Sequence, residues 1–143
     1  MKILIADDHQ IIREGLKRIL TEVVSIEDID EACDGNETVQ KAFQKDYDLL
    51  ILDLSMPGIS GLEVIKPHLP TIIISVHPEK QYALRCLKAG AFAYLTKETA
   101  SDELLTAIKN VLNGRKYITP SLAEDLADFA ENPADKPPHE VLS

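Results

Sequence analysis

With 143 residues, 45% of them hydrophobic and 27% charged, the chain has room for one ordinary folded domain and a modest tail, and its composition excludes wholesale disorder. A formal net charge of -9 excludes a segment that itself wraps a nucleic-acid backbone, which takes clustered Lys and Arg. Two distant cysteines, Cys33 and Cys86, exclude a disulfide framework and a zinc centre, and the absence of a secretory leader or of any apolar run near the ~20 residues of a membrane span sets the expectation of a cytoplasmic protein without membrane contact.

In chain order, Lys2–Ala6 is a short apolar strand, followed by a helix with Ile12, Leu16, Ile19, Leu20 and Val23 at helical spacing. Gly15 inside that helix costs about 1 kcal/mol against Ala, which packing outweighs. Residues 26–32 form a weaker strand, and Val39, Ala42 and Phe43 mark the apolar face of a second helix. A third strand at 49–52 ends at Asp53. Ser60 and Glu63 make the capping box of a third helix that Pro67 ends early. After a fourth strand, Thr71–Ser75, Pro78 suits the first turn of a fourth helix with Ala83, Cys86 and Leu87 on its apolar face and Gly90 at its end. The fifth strand is Ala93–Thr96. The fifth helix is predicted to begin at Ser101, with Asp102 and Glu103 in its first turn, and to carry Leu104, Leu105, Ile108, Val111 and Leu112 before Gly114.

Strict alternation of fully apolar strands with amphipathic helices predicts a doubly wound α/β domain over residues 1–114: a five-stranded parallel sheet joined by right-handed crossovers, with helices on both faces. Residues 115–143 are expected to hold a short helix at 120–129, with Leu122, Leu126 and Phe129 on one side, and a proline-rich linker at 132–138.

Ligands of such sheets bind beyond the carboxyl ends of the strands, where strand order reverses. Asp7 and Asp8 follow the first strand, Asp53 ends the third, Ser75 ends the fourth and Lys97 follows the fifth. If the first and third strands are central neighbours, three carboxylates converge, and like charges so placed resist ionising unless a cation joins them. Oxygen ligands suit Mg2+, which would leave Asp53 as a nucleophile toward a phosphoryl group. Lys97 is a compact charge able to hold a phosphate oxygen, and Ser75 a hydroxyl able to donate to it.

These residues, with Leu52-Asp53-Leu54-Ser55-Met56-Pro57-Gly58 and Tyr94-Leu95-Thr96-Lys97 in order, resemble the receiver domain of two-component response regulators, a CheY-like domain, over residue 1 to about 114. Arg13-Glu14-Gly15-Leu16, Ala89-Gly90-Ala91, Tyr117-Ile118 and Pro120 further resemble the NarL/FixJ subgroup, which carries a LuxR-type helix-turn-helix output. The resemblance implies the flavodoxin-like (βα)5 fold with strand order 2-1-3-4-5. It also implies a sensor histidine kinase that donates phosphoryl to Asp53, with Mg2+ (or Mn2+) bound by Asp8, Asp53 and the Ser55 carbonyl and by Asp7 through water. It makes Lys97 the phosphate's counter-charge. Ser75 and Tyr94 become the switch that alters the surface of the fourth helix, fifth strand and fifth helix, and a homodimer on activation becomes the family habit. The segment from Pro138 to Ser143 resembles the opening of the DNA-binding domain, so DNA contact is expected only through a C-terminal domain beyond Ser143.

Residues 60–70 are shorter than is usual in the family, which puts the third helix in question. His77, two residues past Ser75, is a candidate for controlling water access to the pocket; His9 is expected to start the first helix rather than bind metal, and His68 and His139 carry no signal. Two rival readings are a receiver-like interaction module that works without phosphorylation and an aspartyl-phosphate phosphatase. The phosphatase needs a second carboxylate two residues after its nucleophile, where this chain has Ser55.

Overall fold

A computed structural model describes residues 1–22, 28–54, 69–75, 80–120, 122–124 and 127. Among the described residues five strands and four helices follow in the order β1 (Lys2–Ala6), α1 (Gln10–Leu20), β2 (Asp28–Ala32), α2 (Gly35–Gln44), β3 (Leu49–Asp53), β4 (Thr71–Ser75), α3 (Lys80–Lys88), β5 (Ala93–Thr96) and α4 (Lys97–Leu112). The strands form one parallel sheet in the order β2-β1-β3-β4-β5, as expected. The third helix of the sequence reading, opened at Ser60, lies outside the described residues, so the fourth and fifth predicted helices are α3 and α4.

Parallel strands are covered on both faces, and the continuous apolar runs resolve into two alternating sets. Ile3, Ile5, Leu49, Ile51, Ile72, Ile74, Ala93 and Leu95 meet α1 through Leu16 and Leu20 and α4 through Ala100, Leu104, Ala107, Ile108 and Val111. On the opposite face Leu4, Ala6, Leu50 and Leu52 meet Val39 and Ala42 of α2, and Ile73 and Tyr94 meet Ala83 and Cys86 of α3. Phe43, predicted for the buried face of α2, is instead 73% exposed. Of the three residues at that spacing, Val39 and Ala42 make the packing against the sheet. Ile12 likewise sits at the rim of its helix face rather than inside it.

A second correction concerns α4, which begins at Lys97 rather than Ser101. Thr96 is its N-cap: the Thr96 hydroxyl accepts from the Thr99 N–H, and the Thr99 hydroxyl accepts from the Thr96 N–H, each at 3.2 Å. This reciprocal box satisfies two of the donors that a helix start leaves open, so β5 runs into α4 without a loop. Gly114, at φ +78°, ends the helix in the left-handed conformation that glycine adopts without strain.

Beyond Gly114 the chain returns to the sheet. The Tyr117 N–H donates to the Phe92 carbonyl at 2.8 Å, and Tyr117 bridges Ala93 in parallel sense. Thr119 caps the next turn by accepting from the Leu122 N–H at 3.1 Å, and Leu122 is buried in the cluster that holds Ile73, Ala83, Cys86, Ala91 and Tyr94. No described helix is long and apolar enough to cross a membrane.

Candidate functional site

The sheet register builds the site. Ile5 pairs with Ile51 and Ala6 with Leu52, so one further step brings Asp7 alongside Asp53 at the carboxyl edge. By alternation Asp53 falls on the side of Leu49 and Ile51, the face covered by α1 and α4, where Lys97 opens α4. Asp53 and Asp7 are 2% and 1% exposed. The Lys97 Nζ stands 3.4 Å from Asp53 Oδ2.

The turn after β1 is fixed from several directions. The Asp7 N–H donates to the Ala32 carbonyl of β2 at 3.0 Å. Arg13 of α1 donates through Nη1 to the Asp7 carbonyl at 2.7 Å, and its Nε reaches Glu31 at 3.0 Å. Lys17, one turn further along α1, meets the same Glu31 at 2.6 Å and, together with Arg13, holds that carboxyl below the usual range. The His9 N–H donates to Asp7 Oδ1 at 2.8 Å, while its ring Nδ1 lies 2.9 Å from Asp8 Oδ1 and 3.3 Å from Asp7 Oδ1.

Ligand atoms of Asp7, Asp8, His9 and Asp53 all lie within 4.8 Å of one another. Burial raises the Asp7 carboxyl above its ordinary value; the His9 N–H opposes that shift and the neighbouring Asp53 adds to it. Three carboxylates against one ammonium leave two negative charges at the strand ends, which one divalent cation balances. The donors are mostly hard oxygens, the set that Mg2+ and Mn2+ prefer, so the residues present fit such an ion.

Ser75 is fully buried at the end of β4, in register with Thr96, and Tyr94 is packed inward from β5 beside α3. The structure therefore brings Asp7, Asp8, Asp53 and Lys97 together and sets Ser75 and Tyr94 on adjacent strands. Ser55 and His77 lie outside the described residues. A fifth helix expected to begin at Ser101 leaves Lys97 ahead of it, and the sequence gives Arg13 no task in the site. Arg13 falls one helical turn beyond His9, a spacing compatible with reaching back to the turn before α1, but nothing in the sequence marks a backbone carbonyl as its target.

A parallel sheet in the order 2-1-3-4-5, with an acidic cluster and a lysine at its central carboxyl edge, defines a receiver-type signalling domain. The chain belongs to the response regulator receiver domain family, whose family model matches residues 3–109. It is 33% identical over 150 aligned residues to the response regulator GacA of Pseudomonas syringae pv. syringae (strain B728a), an alignment that spans the whole chain and 70% of that relative. Among solved structures it resembles a LuxR-family two-component response regulator from Aurantimonas sp. SI85-9A1, with 30% identity, TM-score 0.81, and coverage of 89% of this chain and 95% of that one. It also resembles RcsB of Salmonella enterica serovar Typhimurium bound to a promoter in the presence of the phosphomimetic BeF3-, with 25% identity, TM-score 0.83, and coverage of 99% and 73%. These neighbours agree with the subgroup resemblance in the sequence.

Proposed function

We propose that Asp53 accepts a phosphoryl group from the phosphohistidine of a sensor histidine kinase, and that the resulting change controls a transcriptional output carried by a C-terminal helix-turn-helix domain. The observation that carries this reading is the buried Asp53 carboxylate between the Lys97 ammonium at 3.4 Å and the carboxylates of Asp7 and Asp8. In the transfer, an Asp53 oxygen forms the new bond to phosphorus, the phosphorus–nitrogen bond to the donor imidazole breaks, and the imidazole leaves with a proton.

Asp8, Asp53 and the Ser55 carbonyl would hold Mg2+ or Mn2+, with Asp7 acting through a bound water. The ion would supply positive charge against the phosphoryl oxygens. Lys97 sits on the first turn of α4, where the helix start also favours negative charge, and would take a phosphate oxygen. The phosphorylated carboxyl offers Ser75 a new acceptor, and a group carrying up to about two negative charges biases the β4 and β5 ends that hold Ser75 and Tyr94. The affected surface is that of α3, β5 and α4, against which the segment after Gly114 also packs. Residues 115–143 would lead toward the output domain, DNA being met only there, with homodimer formation accompanying activation. The chain is thus a phosphoacceptor that takes part in its own phosphorylation and dephosphorylation, without turnover of a separate substrate.

Amide NMR of the labelled chain with beryllium fluoride and Mg2+ tests this. Shifts centred on residues 53, 75, 94 and 97, abolished by chelator and by Asp53→Asn, are expected. Shifts that persist unchanged in Asp53→Asn would place the anion elsewhere and favour a module that works without phosphorylation.

A further inference from the structure

We propose that His9 is an inner-sphere ligand that tunes the metal preference of the acidic site, an inference that rests on the divalent-cation site of the preceding reading. The helix-start role expected for His9 is real but belongs to its backbone. Its main chain is the extended N-cap of α1, with no side-chain capping bond, and its N–H fixes Asp7 Oδ1 at 2.8 Å. The imidazole is not used by the helix. It is turned back over the acidic turn, with Nδ1 at 2.9 Å from Asp8 Oδ1 and 3.3 Å from Asp7 Oδ1, inside the 4.8 Å cluster that also contains Asp53.

A nitrogen donor among three carboxylates changes which ions the site favours. Mg2+ binds oxygen and gains little from an imidazole, whereas later first-row divalent ions gain progressively more from one. His9 therefore separates Co2+ from Mg2+ while leaving the oxygen ligands in place, and the ring's 61% exposure leaves it room to pivot onto an ion without disturbing the core.

Calorimetric titration of the full chain with Mg2+, Mn2+ and Co2+ tests the proposal in wild type, His9→Ala and His9→Gln. Both substitutions keep the main-chain N–H to Asp7 and remove the imidazole, His9→Gln leaving a polar side chain in its place. The expected result is a loss of about tenfold or more in Co2+ affinity with Mg2+ affinity held within about twofold. A second readout needs no variant: pulsed EPR of the Mn2+-loaded wild type should show coupling to an imidazole nitrogen. Equal losses for Mg2+ and Co2+, an unchanged Co2+ affinity, or the absence of nitrogen coupling would each overturn it. If wild type binds none of the three ions, the cation site itself falls, and the proposed function falls with it.

Discussion

Asp7 and Asp30 show how the same side chain acquires opposite linkage to pH. Asp7, buried beside Asp53, has its carboxyl raised above 3.8, so the folded state holds more protons than the unfolded chain as pH climbs from that value. Stability then falls through this window, and the whole penalty is present above the folded value when no cation is bound. Asp7→Asn, which keeps an oxygen for the His9 N–H, should be more stable than wild type toward urea in chelator at neutral pH. The advantage should shrink in acid and in saturating Mg2+; a variant less stable under chelator would contradict this. Asp30 is lowered, first by the hydroxyl of Tyr47 donating at 2.6 Å and then by Lys45. Its stabilisation is present above 3.8 and is lost as pH falls through the lower, folded value. Tyr47→Phe should move the Asp30 titration, followed by carboxyl-carbon NMR, upward toward the ordinary carboxylate range, and an unmoved titration would refute the hydroxyl's role. At this scale the sequence made the cluster's members readable, because polar residues that end apolar strands stand out. It hid Arg13 and the direction of the His9 ring, since both depend on how α1 leaves the sheet.

Among the elements, α4 ties fold to site most closely, because its capping box also sets the first helical residue as Lys97. Thr96→Ala should cost about 1 kcal/mol in urea unfolding. It should also slow phosphorylation of Asp53, whereas Ser101→Ala should do neither. Gly15 of α1 has nothing within 4 Å of where a Cβ would stand, so Gly15→Ala should stabilise the chain by up to about 1 kcal/mol, read from the same unfolding curves. A destabilised variant would mean that the groove lined by Ile11, Ile12 and Ile19 is tighter than it stands here. Strands β1, β4 and β5 were legible to the residue because short apolar runs between polar ends leave few alternatives. The start of α4 was misread because Thr99 fills the box position more often held by Glu or Gln, and Ser101 with two acids offered a stronger local signal. Phe43 was misread because helical spacing reveals which residues share a face, not which of them reach the sheet.

In the whole molecule, the sheet order carries residues 46 positions apart in sequence, Asp7 and Asp53, to one edge, while the chain after Gly114 fastens back onto β5 and α3. The division at Gly114 is therefore one of connectivity more than of packing: Leu122 belongs to the same buried cluster as Tyr94. Leu122→Ala should destabilise residues 1–114 by about 2 kcal/mol, in the range of a buried leucine truncation, and an unchanged unfolding midpoint would make the segment an independent linker. Length and composition pointed to one domain and the alternation of strands with helices to its α/β class; the return of Tyr117 to the sheet had no signature, because a single bridge needs no apolar run. The measurement that tests the central claim most directly is the intact mass of the chain after incubation with acetyl phosphate. A single phosphoryl adduct that requires Mg2+ and disappears in Asp53→Asn is the predicted result; a folded, Mg2+-binding wild type that gains no adduct, or an adduct that survives Asp53→Asn, would contradict it.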